Sequence, residues 1–186
     1  MRLQRTLVPS ASPPDTPDAR LTARVRAGDS AALGELYRRY APVMFGLAER
    51  LVGRGADAED VLHDVFLGLP EALRRYHEQG SLESWLKRVT ARVALNRLRS
   101  DRRRDDSSVG NVPESRARVP HPIDAIALRD ALAELPDSLR TVFVLKEVEG
   151  FSHAEVAEFL SISRGASEVR LHRAIRSLRT ILGSAR

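Results

Sequence analysis

The sequence predicts an all-α protein made of two small helical domains joined by a flexible linker. Apolar residues recur at helical spacing in residues 18–99 and again in residues 123–186, whereas strand-type alternation is nearly absent. Between these blocks, residues 100–122 lose periodicity and are rich in Arg, Asp, Ser and Pro, which is typical of a linker. Residues 1–17 hold four prolines among small and polar residues and predict a disordered tail.

Charge is distributed unevenly along the 186 residues. The formal net charge is +5 and the isoelectric point about 10.3, and Lys87 and Lys146 are the only lysines. GC-rich coding is one explanation for an overall excess of arginine, so the placement of the arginines is more informative than their number. They concentrate in residues 97–104 and 164–186, while residues 57–64 form an acidic run. This sorting predicts two partners of opposite charge, one of them nucleic acid.

Several classes of protein are disfavoured by the sequence. The absence of cysteine excludes disulfides and thiolate metal sites. No apolar stretch approaches the roughly 20 residues of a membrane span, and no signal peptide is evident, so we expect a soluble, cytoplasmic protein without membrane insertion. The 53–55 Gly-Arg-Gly run lacks a dinucleotide-binding context, and His153 has no second histidine at zincin spacing. We therefore expect no catalytic site, metal or cofactor.

The first block predicts three amphipathic helices. Pro42 fits a helix start or kink, Asp57 is a candidate N-cap, and the long helix is predicted over Leu82–Arg99. The predicted inward residues are Leu33, Leu36, Tyr37, Tyr40, Met44, Leu47, Leu51, Val61, Leu62, Val65, Phe66, Leu69, Trp85, Leu86, Val89, Val93, and Leu95 or Leu98.

The last third of the chain predicts a helix-turn-helix. Helical pattern covers residues 123–135, stops at Pro136 and returns over residues 139–148. Ser152 and Glu155 have the spacing of a capping box, and residues 161–163 form a tight connection. A second, basic helix begins near Arg164, with Leu171, Ile175, Leu178 and Leu182 inward. A B-DNA major groove admits one such helix, although an αα-hairpin with a solvated basic face has the same pattern.

Both halves resemble the extracytoplasmic-function sigma factors, the smallest branch of the sigma-70 family. VRAGDSAALGELYRRYAPVMFGLAERLVGRGADAEDVLHDVFLGLPEALRRY and GSLESWLKRVTARVALNRLRS are similar to region 2 of that family. ALAELPDSLRTVFVLKEVEGFSHAEVAEFLSISRGASEVRLHRAIRSL is similar to region 4. The resemblance implies a bacterial transcription initiation factor whose partners are core RNA polymerase, through its β′ clamp helices and β flap, promoter DNA and an anti-sigma factor.

The resemblance also implies a role for each segment. The ADAEDVLHDVF segment would dock on the β′ clamp helices, with an acidic face of Asp57, Glu59, Asp60 and Asp64; a solvated acidic helix is the alternative. The loop before the tryptophan helix, and that helix itself, would hold the −10 element through Ser81, Ser84, Trp85, Arg88, Arg92, Arg97 and Arg99. Trp85 lies on the apolar stripe and therefore also fits a core position.

The basic helix would read the −35 element through Arg164, Ser167, Glu168, Val169, Arg170, His172 and Arg173. The sequence departs from the family pattern at two positions. Arg92 stands where many members carry asparagine, and Glu168 replaces a basic group. Arg92 leaves the base choice in the −10 element open. A carboxylate near phosphates is repulsive, whereas one facing a cytosine amine is specific, so Glu168 predicts an unusual −35 sequence.

Two alternatives to a sigma factor share the helix-turn-helix. One is a DNA-binding regulator that recruits polymerase, which would need a phosphoacceptor or ligand domain before that motif. The other is a sigma-like adaptor that binds polymerase without melting promoters.

Overall fold

A computed structural model of the chain describes residues 16–53, 55–76, 80–105 and 123–184, and only the backbone of residues 101–105, 123–127, 129 and 184. Its elements are helical: α1 (Pro17–Arg26), α2 (Ser30–Val52), α3 (Gly55–Arg74), α4 (Leu82–Asp105), α5 (Ile123–Glu134), α6 (Asp137–Phe143), a π-helical segment (Val144–Val148), α7 (His153–Leu160) and α8 (Arg164–Ser184). No strand occurs in these ranges, which confirms the all-α prediction.

Helices α1 to α4 form the first bundle. Thr16 caps α1, and the Asp29 carboxylate accepts hydrogen bonds from the Ala31 and Ala32 backbone N–H groups at the start of α2. Apolar residues on facing sides of the helices are buried between them, including Leu36, Met44, Leu47, Val61, Val65, Leu69, Leu73 and Leu86. Because α2 contacts both α3 and α4, it is the central helix of this bundle.

Helices α5 to α8 form the second bundle. The predicted capping box is present: the Glu155 backbone N–H donates to Ser152 Oγ, and Glu155 Oε2 accepts from the Ser152 N–H at 2.9 Å. Ser161 ends α7 in a left-handed conformation, and Ser163 Oγ accepts from the Ala166 N–H at the start of α8. This pair of helices is the predicted helix-turn-helix. Between α5 and α8, a separate buried cluster consists of Ala131, Leu135, Ala174 and Leu178.

Three predicted details of the helices are wrong. Asp57 is not an N-cap, because α3 begins at Gly55 and Asp57 lies in its first turn. Helix α4 continues to Asp105, six residues past the predicted boundary, because the arginine-rich run extends the helix. Pro17 is the first residue of α1 and so is not part of a tail. The remainder of the predicted tail and linker, residues 1–15 and 106–122, lies outside the described residues.

Burial departs from the predicted stripes at a few positions. Tyr37 is about half exposed, and its ring packs on Phe66 at a centroid distance of 4.8 Å. Ile175 is only partly buried, and Ala174 is the fully buried residue of that turn. Pro42 lies inside α2, which runs without interruption from Ser30 to Val52. Within the described part of the chain, no helix is long and apolar enough to cross a membrane.

Candidate nucleic-acid and polymerase interfaces

The exposed face of α3 is acidic. Glu59, Asp60 and Asp64 are exposed, and Asp57 is partly buried. Helical spacing places Glu59 and Asp60 away from the buried Val61 and Val65, while Asp57 and Asp64 border that buried stripe. One turn further on, Leu67 is 68% exposed, so an apolar side chain continues the same face.

Arg97 holds α4 against this acidic helix. Its Nη2 lies 2.6 Å from Asp60 Oδ2 and 3.5 Å from Asp57 Oδ1. The sequence predicted Arg97 as one of the cations along the −10 strand. In the structure its guanidinium instead binds Asp57 and Asp60 of α3. Glu59 and Asp64 form no ion pair within the described residues, and so they are the carboxylates of this face that are available to a partner.

The start of α4 is held by a serine pair. Gly80 adopts a φ of +89°, and Ser81 Oγ then accepts from the Ser84 backbone N–H and lies 2.8 Å from Ser84 Oγ. Both hydroxyls remain exposed. Trp85 is partly buried and packs against the core, and the centroids of the Trp85 and Tyr76 rings are 4.8 Å apart. The structure thus gives Trp85 the packing role that its place on the apolar stripe indicated.

One face of α4 carries Arg88, Arg92, Asn96 and Arg99, spaced four, four and three residues apart. The Arg88 Nε lies 2.8 Å from Glu155 Oε1, and Arg92 Nη2 lies 2.5 Å from Glu158 Oε1, both carboxylates belonging to α7. Arg99 donates to the Phe159 carbonyl and to Asn96 Oδ1. Three arginines of the face predicted to bind the −10 element are therefore engaged by the second bundle, although Arg92 keeps 57% of its side chain exposed.

The first turns of α8 present a mixed surface. Arg164 Nε donates to Glu168 Oε1 at 3.0 Å, four residues along the helix. Val169 is 51% exposed, so an apolar side chain lies among the charged ones of this turn. Arg170 is partly exposed, while His172 and Arg173 are exposed, and these three form no ion pair within the described ranges.

Ser167 does not belong to this exposed surface. It is fully buried, and its Oγ lies 2.9 Å from His153 Nδ1 on α7. Its predicted contact with DNA is not supported, because the side chain joins the two helices of the motif from inside. The sequence carried a signal for this: Ser167 precedes Leu171 by four residues and so lies on the buried stripe.

Two exposed groups were missed by the sequence reasoning. Leu67 lies beside the buried stripe of α3, and nothing in the sequence distinguishes this exposed leucine from the buried residues of that stripe. Asn96 lies one turn after Arg92 on the same exposed face, a spacing that was readable from the sequence.

Comparisons with known proteins agree with this arrangement. Residues 36–104 match the Sigma-70 region 2 family, and residues 125–178 match the Sigma-70, region 4 family. The chain is 34% identical over 164 residues to the RNA polymerase sigma factor CarQ of Myxococcus xanthus, covering 86% of this chain and 94% of that protein. It is 30% identical over 166 residues to the ECF RNA polymerase sigma factor SigM of Mycobacterium tuberculosis, covering 89% and 85%.

Solved structures with the same fold include the sigma factor RpoE bound to the anti-sigma factor NepR from Bartonella quintana. That likeness has a TM-score of 0.66 at 22% identity, covering 82% of this chain and 98% of the other. CnrH in complex with the cytosolic domain of CnrY gives 0.58 at 26% identity, covering 90% and 97%.

The two matched regions, in this order on two helical bundles, define a sigma-70-type initiation factor. The chain belongs to the extracytoplasmic-function sigma factors, and it acts as an RNA polymerase sigma factor whose partners are core RNA polymerase and promoter DNA.

Proposed function

We propose that the chain divides its work among three helix faces: α3 docks on core polymerase, α4 holds the −10 element and the start of α8 reads the −35 element. The observation that carries this proposal is the separation of charge, with exposed carboxylates on α3 and arginines on α4 and α8. Residues 18–99 would serve as region 2, extended by α4 to Asp105, and residues 123–186 as region 4.

The proposed docking surface consists of Glu59, Asp60, Asp64 and Leu67. Exposed carboxylates beside an exposed leucine suit a basic helical partner, since the apolar side chain adds buried area to electrostatic attraction. Because Asp60 already binds Arg97, we assign the intermolecular contacts to Glu59 and Asp64. The β′ clamp helices would be the partner.

Substitution of Asp64 tests the docking surface. Asp64→Lys should weaken binding to core polymerase by about 5- to 30-fold at moderate salt, because it places a cation against a basic partner. It should leave thermal stability unchanged, because Asp64 is exposed and forms no ion pair among the described residues. The matched control is Glu49→Lys, an equal charge change on the exposed side of α2. Equal affinities for the two variants would contradict the proposed surface.

The proposed −10 surface consists of the Ser81 and Ser84 hydroxyls and the α4 face of Arg88, Arg92, Asn96 and Arg99. Guanidinium groups four residues apart follow the backbone of a displaced strand, and exposed hydroxyl and amide groups supply hydrogen bonds to bases. Arg97 is assigned a positioning role, since it links α3 to α4. Trp85 supports the loop from within the bundle.

The proposed −35 surface consists of Arg164, Glu168, Val169, Arg170, His172 and Arg173. Arg170 and Arg173 would contact phosphates, and the exposed valine suits a thymine methyl group. Glu168, held by Arg164 at 3.0 Å, would accept a hydrogen bond from a cytosine amine. This contact would make the preferred −35 sequence differ from that of members with a basic residue here.

An anti-sigma factor is a further proposed partner. RpoE and CnrH, whose folds this chain shares, were each solved with a second protein, NepR and the cytosolic domain of CnrY. We further propose that the chain has no catalytic activity of its own and acts in the cytoplasm, as its promoter-binding role requires.

A further inference from the structure

An arginine of α1 binds the carboxyl end of α3. Arg26 donates through Nε to the Leu73 carbonyl at 2.8 Å and through Nη2 to the Tyr76 carbonyl at 2.7 Å. The last carbonyl groups of a helix have no partner within the helix, and a cation there also interacts favourably with the helix dipole. Leu73 and Tyr76 are both buried, so Arg26 fixes the point at which the chain leaves α3.

The Tyr76 ring connects this arginine to Trp85. The Arg26 guanidinium carbon lies 5.9 Å from the centre of the Tyr76 ring, which is within the range of a cation–π contact. The centroids of the Tyr76 and Trp85 rings are 4.8 Å apart. Because a buried ring in close-packed surroundings has few alternative positions, a shift of Tyr76 also shifts Trp85.

Trp85 lies in the first turn of α4, beside the two exposed serine hydroxyls. Its backbone N–H donates to the Ser81 carbonyl at 3.2 Å, and Ser81 Oγ accepts from the Ser84 N–H. Leu82 and Leu86 are buried on the inner side of this turn, whereas Ser81 and Ser84 face outward. The position of both hydroxyls therefore depends on how the inner side of the turn is packed.

Arg24 provides a comparison on the same helix. It lies two residues before Arg26, but its guanidinium binds Asp29 and Glu35 at the start of α2 and makes no contact with α3 among the described residues. The two arginines are both exposed and carry the same charge. They differ in what they hold in place, since only Arg26 reaches the Tyr76–Trp85 pair.

We propose that Arg26 is a positioning residue for recognition of the −10 element: through Tyr76 and Trp85 it fixes the first turn of α4, so that Ser81 and Ser84 are placed to bind unpaired bases. This proposal rests on the assignment of that turn to the −10 element. Arg26 itself contacts no base. Binding groups that are fixed before the ligand arrives lose less freedom on binding, so a fixed turn binds its strand more tightly and more selectively.

The test uses the full-length chain bound to core polymerase. Two fluorescent single-stranded DNAs are compared: the non-template strand across the −10 element of a promoter mapped with the wild-type holoenzyme, and the same strand with that element scrambled. The ratio of the two affinities is measured for wild type, Arg26→Gln, Arg26→Lys and Arg24→Gln. Loss of stability lowers the amount of active holoenzyme equally for both strands and so leaves this ratio unchanged.

Arg26→Gln should lower the affinity ratio at least about fivefold, while Arg24→Gln keeps the wild-type value. Arg26→Lys should restore the ratio only in part, because an ammonium group lacks the planar fork that binds two carbonyls at once. A wild-type ratio for Arg26→Gln would overturn the proposal. Full recovery in Arg26→Lys, with a salt dependence reduced by about one unit in Arg26→Gln, would also overturn it, because Arg26 would then contact a phosphate directly.

Trp85 is the only tryptophan of the chain, so its fluorescence tests the contact with Tyr76 without polymerase or DNA. In the free chain, Arg26→Gln should shift the Trp85 emission and increase its quenching by acrylamide, whereas Arg24→Gln should change neither. Identical emission and quenching in wild type and Arg26→Gln would overturn the proposed link.

Failure of the proposed function has a different signature. In that case the wild-type holoenzyme itself would show no preference for the −10 strand over the scrambled strand, which overturns the −10 assignment and the positioning role with it. A preference that wild type and Arg26→Gln share equally would overturn the positioning role alone.

Discussion

Glu155 links the local structure of α7 to the contact between the two bundles. Its carboxylate accepts from the backbone N–H and the hydroxyl of Ser152, and it also binds Arg88. Burial raises the pKa of Glu155, but these hydrogen bonds and the Arg88 charge outweigh it and hold the pKa below its usual value of 4.5. The charged form of Glu155 therefore stabilises the folded chain.

Replacement of Glu155 by glutamine should have a pH-dependent effect. Because the pKa is lowered on folding, the carboxylate contributes stability above pH 4.5 and loses it as the pH falls through the lower folded-state pKa. Glu155→Gln keeps a capping oxygen but loses the ion pair, so it should cost at most about 1 kcal/mol at neutral pH. Thermal unfolding across pH measures the difference from wild type, which should vanish in acid. A difference that is constant with pH would contradict this account.

Substitution of Glu168 tests whether α8 contacts a base through a carboxylate. Glu168→Arg should change the preferred −35 sequence, with discrimination of about 1–3 kcal/mol at the affected base pair. Selection from a library with a randomised −35 element, using holoenzyme made with each protein, measures the preference. Arg176→Ala, further along α8, is the control and should leave it unchanged. If Glu168 only faces solvent, the arginine will raise affinity for every sequence and the two selected motifs will be identical.

At the scale of elements, the turn after the π-helical segment sets the position of Glu149. The Glu149 N–H donates to the Val144 carbonyl, and the Phe151 N–H donates to the Leu145 carbonyl. Gly150 between them adopts a φ of +77°, which side chains rarely allow. The π-helical segment and this glycine together direct the chain from α6 into α7.

Gly150→Ala should therefore destabilise the second bundle. A Cβ at this position meets no atom within 4 Å, so the cost comes from the backbone conformation alone, at about 1–2 kcal/mol. Gly68→Ala is the matched control: it lies inside α3 with open space around it, and it should stabilise by up to about 1 kcal/mol. Denaturant unfolding measures both. Equal stability of Gly150→Ala and wild type would show that this turn is not strained.

Local elements were predictable because their signals are local. The Ser152–Glu155 capping box and the stripe Val61, Val65 and Leu69 depend on residues three or four positions apart. The π-helical segment was not predicted, since it differs from an α-helix only in hydrogen-bond register. The buried position of Ser167 was missed because a small polar residue does not mark an apolar stripe, although its spacing from Leu171 did.

At the scale of the whole molecule, the order of the two bundles was predictable and their contact was not. Arg88 and Glu155 are 67 residues apart in the chain, and nothing in the periodicity of either helix indicates that they meet. The same arginines that the sequence marked for DNA are therefore paired within the chain. Charge sorting predicts which faces bind acidic partners, but it does not distinguish a DNA strand from the carboxylates of a neighbouring bundle.

Initiation by the purified chain with core polymerase lacking any other sigma factor tests the central claim most directly. Transcripts made on genomic DNA, mapped at their 5′ ends, should begin at discrete sites that share one pair of upstream elements, without hydrolysis of an added nucleotide. The Asp64→Lys chain should lose this activity in proportion to its weaker binding of core polymerase, while Glu49→Lys keeps it. Tight binding of the chain alone to specific duplex DNA, with no initiation when core polymerase is added, would contradict the account and identify a regulator instead.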